Sequence, residues 1–246
     1  DQTFLQNWQG MSDCGILRGA YHFYKPSHDP FKQAHNFLAA LQGNPGDLPA
    51  VIDIEKGMAG ERKDCKKLLP HLVHFAATVK KGTGMAPMVY ASRAFWNENF
   101  TCADSPEGAA AIAELAQYPL WVAKYSTDPP VMFGGWTEYA FWQYSDQGAI
   151  GTGTLDLNHF NGDLPTLKAW LKAYKQDPST TPSQVRAALQ ADAAGNPSPP
   201  VGTRSHCCPS PGTYHKSICL KTQAKWTKNV LVTSIKVCKG RHNHVV

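Results

Sequence analysis

Short apolar runs alternate with longer amphipathic segments over roughly the first 175 residues. The runs at 16–24, 48–55, 87–92, 120–125, 140–144 and 154–158 are rich in Val, Ile, Tyr, Phe and Trp. Such residues suit a pleated, buried surface, so each run predicts a strand. Helix signals lie between them, beginning with an opening helical stretch at 4–13. Asp29-Pro30 offers a capping side chain followed by proline at the first helical position, and that segment runs to Gly43, which can close a helix in the left-handed conformation. A long stretch at 61–81 is interrupted by Pro70. Ser105-Pro106 repeats the cap-plus-proline signal before an alanine-rich helix ending near Gln117, and 164–174 sets Leu164, Leu167, Trp170 and Leu171 on one face. Alternating strands and helices predict an α/β fold, a mainly parallel sheet covered by helices and either open or closed into a barrel.

The alternation stops after Tyr174. Residues 176–203 are rich in Pro, Ser, Thr, Ala and Gly, the composition of a flexible linker. Beyond it, 204–246 holds one β-like run at 229–237. The expected organisation is therefore a body at 1–175, a linker at 176–203 and a tail of unknown structure at 204–246. With 246 residues, 42% of them hydrophobic, the chain can bury one sizeable core plus a small appendage. No run approaches the roughly 18 apolar residues of a membrane span, so no membrane insertion is expected. Charge divides at the same place: residues 1–175 carry 15 Lys+Arg against 17 Asp+Glu, and 176–246 carry 9 against 2. A basic tail suits anionic partners or a solvated chain, and no nucleic-acid partner is expected. Cys14, Cys65 and Cys102 are scattered without metal-type spacing, which predicts small buried thiols. Cys207, Cys208, Cys219 and Cys238 crowd the tail, where two disulfides or a metal site with His206 and His215 are both open.

The most informative segment is Leu48-Pro49-Ala50-Val51-Ile52-Asp53-Ile54-Glu55, an apolar strand ending in two acids one residue apart. Strand side chains alternate, so Asp53 and Glu55 share a side, with backbone positions roughly 6–7 Å apart. In parallel α/β folds the carboxyl ends of the strands form the active face. Two like charges in a partly enclosed cleft raise one acid's pKa, which leaves a proton donor beside a carboxylate, the pair that glycosidic cleavage needs. A bland alternative has one acid capping the next helix and the other paired with Lys56 or Arg62. Asp156, at the end of the last expected strand, faces the same cleft if the sheet closes; otherwise it serves as a turn or cap before His159. Phe23, Tyr90, Tyr125, Trp142 and Tyr144 all fall near strand ends, where aromatic rings could stack on sugars.

Taken in order, Arg18-Gly19-Ala20-Tyr21-His22-Phe23, the 48–55 segment, Pro87-Met88-Val89-Tyr90-Ala91-Ser92, Leu120-Trp121-Val122-Ala123-Lys124-Tyr125, Trp142-Gln143-Tyr144-Ser145 and Leu155-Asp156-Leu157-Asn158 resemble family 25 lysozymes across roughly residues 1–172. The resemblance implies an irregular, flattened (β/α) barrel, similar to a TIM barrel, whose groove binds bacterial peptidoglycan. It further implies hydrolysis of the β-1,4 bond after N-acetylmuramic acid by a monomer without metal or organic cofactor. By that likeness Glu55 is the general acid, Asp53 and Asp156 are supporting carboxylates, and Phe23, Tyr90, Tyr125 and Gln143 line the groove. The substrate's own acetamido group, oriented by Asp53, is the implied nucleophile, a substrate-assisted variant of the two-carboxylate scheme. Secretion or release at phage-mediated lysis is the implied location.

Two departures from the family pattern matter. Its members open with a strand bearing a further aspartate and then a second strand, whereas Asp1-Gln2-Thr3-Phe4 resembles the helix after that second strand. The expectation is that the chain as written lacks its first barrel strands, with poor activity or stability as the consequence. The tail matches no wall-binding repeat. Two rivals follow: a catalytically impaired peptidoglycan-binding protein, and another barrel glycosidase acting, for instance, on chitin.

Overall fold

The computed structural model describes residues 2–55, 64–150 and 153–195. Lys56 and Arg62, the tail run at 229–237, the four tail cysteines and 196–203 of the expected linker lie outside these residues. Among these residues six strands form one sheet in chain order: β1 (Tyr21–Phe23), β2 (Val51–Asp53), β3 (Met88–Ala91), β4 (Leu120–Ala123), β5 (Phe141–Ile150) and β6 (Gly153–Phe160). The first four pairings are parallel, and β5 and β6 form an antiparallel hairpin with register shifts between Gln143 and Ser145 and between Ser145 and Gly148. Among the described residues the sheet is an open, curled half-barrel with β1 and β6 at its edges.

Among the described residues seven α-helices accompany it: α1 (Phe4–Asp13), α2 (Pro30–Leu41), α3 (Cys65–Thr83), α4 (Arg93–Asn99), α5 (Pro106–Leu115), α6 (Leu164–Gln176) and α7 (Pro182–Gly195). Their starts are written locally. Asp29 accepts from the Lys32 N–H at 2.8 Å, Ser105 from Gly108 at 3.1 Å and Asp163 from Thr166 at 2.9 Å, each with proline in the first turn. Left-handed closure of α2 falls on Gln42 (φ 49°) rather than Gly43, which follows it at φ 77°. Pro70 does not interrupt α3, which runs unbroken through it to a left-handed Gly84.

Alternation along the strands sorts side chains onto two faces. On the outer face His22 and Tyr24 meet Phe75 of α3, and His22 also meets Phe37 of α2. On the inner face Tyr21, Val51, Met88, Trp121 and Phe141 line a narrow apolar space. The α6 helix packs at the amino-terminal ends of the strands: Trp170 meets Phe141 and Phe160, and the Tyr174 hydroxyl donates to the Ala86 carbonyl at 3.2 Å. The carboxyl ends on the opposite rim are left for chemistry.

Two expectations need correction. Part of the segment read as a linker is helical: α7 packs Val185 against the core, and Arg186 donates to the backbone and side-chain oxygens of Asn161 at 3.1 and 3.0 Å. Cys65 and Cys102 are not isolated thiols but a disulfide, with Cα atoms 5.8 Å apart across a sequence separation of 37. It ties the start of α3 to a 3-10 turn, Thr101–Asp104, between α4 and α5.

Candidate active site

Asp53 is the last residue of β2, paired in register with Phe23 on one side and Tyr90 on the other. The ladder continues past it, since Ile54 N–H donates to the Tyr90 carbonyl at 2.9 Å. Ile54 is fully buried. Asp53 and Glu55 therefore alternate to the inner side, as the spacing predicts. Asp53 is only 8% exposed, and its Oδ1 is buried without a hydrogen-bond partner among the described residues.

Electrostatics places the acids together. Burial pushes the Asp53 carboxyl well above the usual carboxylate range, and the charge of Glu55 adds to the shift. Glu55 is also raised, first by burial and then by Asp156. Tyr90 is raised by burial and by the charges of Asp53 and Glu55, followed by Tyr125 and Asp156. Tyr125 is pushed up to about 12 by burial, then by Asp156, Asp146 and Glu55. Three carboxyls and two phenols thus share one electrostatic neighbourhood. Asp156 reaches it from within β6, by way of the hairpin, without any closure of the sheet.

Gln143 organises the two phenols. Its Oε1 accepts from the Tyr90 hydroxyl at 2.7 Å and from the Tyr125 hydroxyl at 3.1 Å, and the side chain is buried. Both hydroxyls are committed as donors, so each has only acceptor capacity left for a ligand. Tyr125 is 57% exposed, so part of this residue stays open to a ligand beside the bond. Phe23 is half-buried and stands on the Asp53 side of β1.

Sequence reasoning missed the support behind this cluster. The Trp121 ring meets Tyr90 edge-on at 5.3 Å, and its Nε1 donates to Asn158 Oδ1 at 2.8 Å. Asn158 is 1% exposed and stands opposite Gln143 in the β5–β6 ladder. Parity could have found both, because Trp121 is four residues before Tyr125 and Asn158 two after Asp156. The same rule removes Trp142 and Tyr144 from the face that carries the acids. They flank Gln143 in sequence, so they face the other way, where His159 meets Trp142 at 5.6 Å and stacks on Tyr144 at 4.3 Å. Among the described residues no three His, Cys, Asp or Glu side chains are grouped to hold a metal ion.

A largely buried cluster of acids beside tyrosines is an arrangement suited to proton transfer onto a polyhydroxylated ligand. Comparison with known proteins gives the lineage. The chain is 33% identical over 180 residues to the uncharacterized protein YegX of Escherichia coli K12, an alignment covering 72% of this chain and 60% of that one. It is 31% identical over 178 residues to Lysozyme M1 of Streptomyces globisporus, covering 69% and 58%. The chain thus spans less than two thirds of the length of these relatives. The fold is similar to that of a muramidase from Trichobolus zukalii, with a TM-score of 0.55 at 26% identity over 70% of this chain and 81% of the other. The sequence profile of the glycosyl hydrolases family 25 matches residues 1–152, and with the strand order and the acids in place, the chain belongs to that family.

Proposed function

We propose that this protein is an N-acetylmuramidase that hydrolyses the β-1,4 bond between N-acetylmuramic acid and N-acetylglucosamine in bacterial peptidoglycan. One observation carries the reading: the Glu55 carboxyl is half-buried within the electrostatic reach of Asp53 and Asp156, and both burial and the Asp156 charge favour its protonated form. A carboxylic acid whose protonated form is favoured by its surroundings is the donor that a leaving glycosidic oxygen requires. Similarity to a lysozyme and to a muramidase supports the substrate class.

In this scheme Glu55 protonates the bridging oxygen as the bond breaks. The unpartnered Oδ1 of Asp53 accepts from the acetamido N–H of the substrate, turning the acetamido oxygen toward the anomeric carbon. Asp156 keeps Glu55 protonated until transfer and stabilises positive charge that develops on the sugar. Phe23 and Tyr125 present ring faces to the glycan, and Gln143 fixes Tyr90 and Tyr125 beneath it. The protein acts as a monomer outside the cytoplasm, by secretion or by release at lysis. The Cys65–Cys102 disulfide supports that location, since such bonds persist in oxidising compartments. Residues 1–175 form the catalytic body, with the basic segment at 204–246 as an appendage.

The test is the release of new reducing ends from purified peptidoglycan by the protein and by its Glu55→Gln variant, which keeps the shape of the side chain but carries no proton to donate. A loss of about 10²- to 10⁴-fold in the variant is expected. Equal release by both proteins removes Glu55 from the reaction. Binding to peptidoglycan without any release by either protein favours a binding role instead.

A further inference from the structure

We propose that a second site, separate from the acid cluster, binds phosphate esters carried on a polyol chain, and that it lies in the cavity between the β1–α2 connection and the first turns of α3. This cavity has a volume of about 600 Å³, and its walls include Lys66, Lys67, His28, His71, His74 and Phe31. Among the described residues Asp29 is the one carboxylate lining it, and its Oδ1 accepts from the Lys32 backbone N–H at 2.8 Å as the cap of α2. Asp64, the cap of α3, stands 3.9 Å from the Lys67 ammonium, with both side chains more than half exposed. Such a surface pair is weak and gives way readily to a better anion.

The lysines sit where helix stability argues against them. The amino-terminal turn of a helix carries partial positive charge and favours acids, yet α3 has no acid in its first turn and two lysines instead. Residues placed against local preference tend to mark function, and here the result is a concentration of positive charge facing a cavity. The wall across from them is pre-formed. Buried Gln33 accepts from the Lys25 N–H at 2.8 Å and donates to the Lys25 and His28 carbonyls at 2.9 and 3.1 Å, which pins the connection that carries His28.

Phe31 decides the ligand class. It is 48% exposed, with its ring 5.4 Å from that of His74, so an apolar face stands beside the cations. A bare anion has no use for that face. A phosphodiester-linked polyol fits it, placing phosphate oxygens on the lysines and C–H groups on the ring. Both walls follow the carboxyl ends of β1 and β2, so the cavity opens on the same rim as Asp53 and Glu55. Anionic wall polymers built of glycerol or ribitol phosphates have this chemistry and stand beside peptidoglycan. The cavity lining carries the phosphate-ester inference, and the choice of a wall polymer as its source rests on the muramidase reading.

Calorimetric titration of the full chain with glycerol phosphate oligomers tests it, with inorganic phosphate and polyglutamate of matched charge as separate arms. The variant Lys66→Glu/Lys67→Glu is compared with Lys80→Glu/Lys81→Glu, an equal charge change at the far end of the same helix. The first pair should weaken oligomer binding at least about tenfold and the second by less than about twofold, and Phe31→Ala should weaken the oligomer while leaving inorganic phosphate unchanged. Equal losses from both lysine pairs, no loss from either, or wild-type binding of polyglutamate as tight as that of the oligomer would overturn the proposal. Circular dichroism checks that each variant is folded, and Lys66→Gln/Lys67→Gln gives a milder second series. Oligomer binding that persists in Glu55→Gln separates this site from the fate of the catalytic reading.

Discussion

Asp53 and Glu55 sit where a protein selected for stability alone would place neither. Their carboxyls are raised in the folded state, so between the unfolded and folded pKa values the native protein holds more protons than the unfolded chain. Stability from these groups is therefore highest below the ordinary carboxylate range and falls as pH rises through the folded values. Asp53→Asn should raise the melting temperature at pH 7 by roughly 2–4 °C, a gain of about 1 kcal/mol, and the gain should vanish below about pH 4. Scanning calorimetry at the two pH values reads both parts, and a destabilised variant at pH 7 would contradict the burial argument. Asp156 acts through Glu55. Removing its charge in Asp156→Asn lowers the Glu55 pKa, so the alkaline limb of the pH–activity profile should move to lower pH, whereas an unmoved limb would separate the two residues.

Among the elements, the disulfide between the start of α3 and the 3-10 turn carries the clearest prediction. It closes a loop across a separation of 37 residues, and Cys65→Ser/Cys102→Ser should cost about 2–4 kcal/mol, lowering the melting temperature by roughly 5–15 °C. A reducing agent should reproduce the shift in the parent and have no effect on the double variant. Sequence could not reveal this bond, because 37 residues of separation say nothing about distance once two helices and a strand intervene. Strand cores, by contrast, were readable: all six expected runs overlap a strand, because most of them bury β-branched or aromatic residues. The α4 helix was missed because Ser92 reads as the end of a strand while also serving as the cap that accepts from Phe95 N–H at 3.2 Å. The α7 helix was missed because proline, serine and alanine suggest a linker, and what orders it is tertiary, the Arg186–Asn161 bonds and the packing of Val185.

Across the whole molecule, the two ends of the half-barrel divide the labour. The amino-terminal ends of the strands are packed by α6 through Trp170 and Tyr174, and the carboxyl ends carry the acids, the Gln143-bridged tyrosines and the basic cavity. The Asp53/Glu55 pair was legible because strand alternation is a local rule. The bridging role of Gln143 and the buried Asn158–Trp121 bond were not, since each joins residues from different strands. That division makes one measurement most direct: mass spectrometry of the soluble fragments released from peptidoglycan, read for the sugar at the new reducing end. A muramidase built on Glu55 yields fragments ending in reducing N-acetylmuramic acid, and these disappear with Glu55→Gln. Fragments ending in reducing N-acetylglucosamine, or an undiminished yield from the variant, would contradict it.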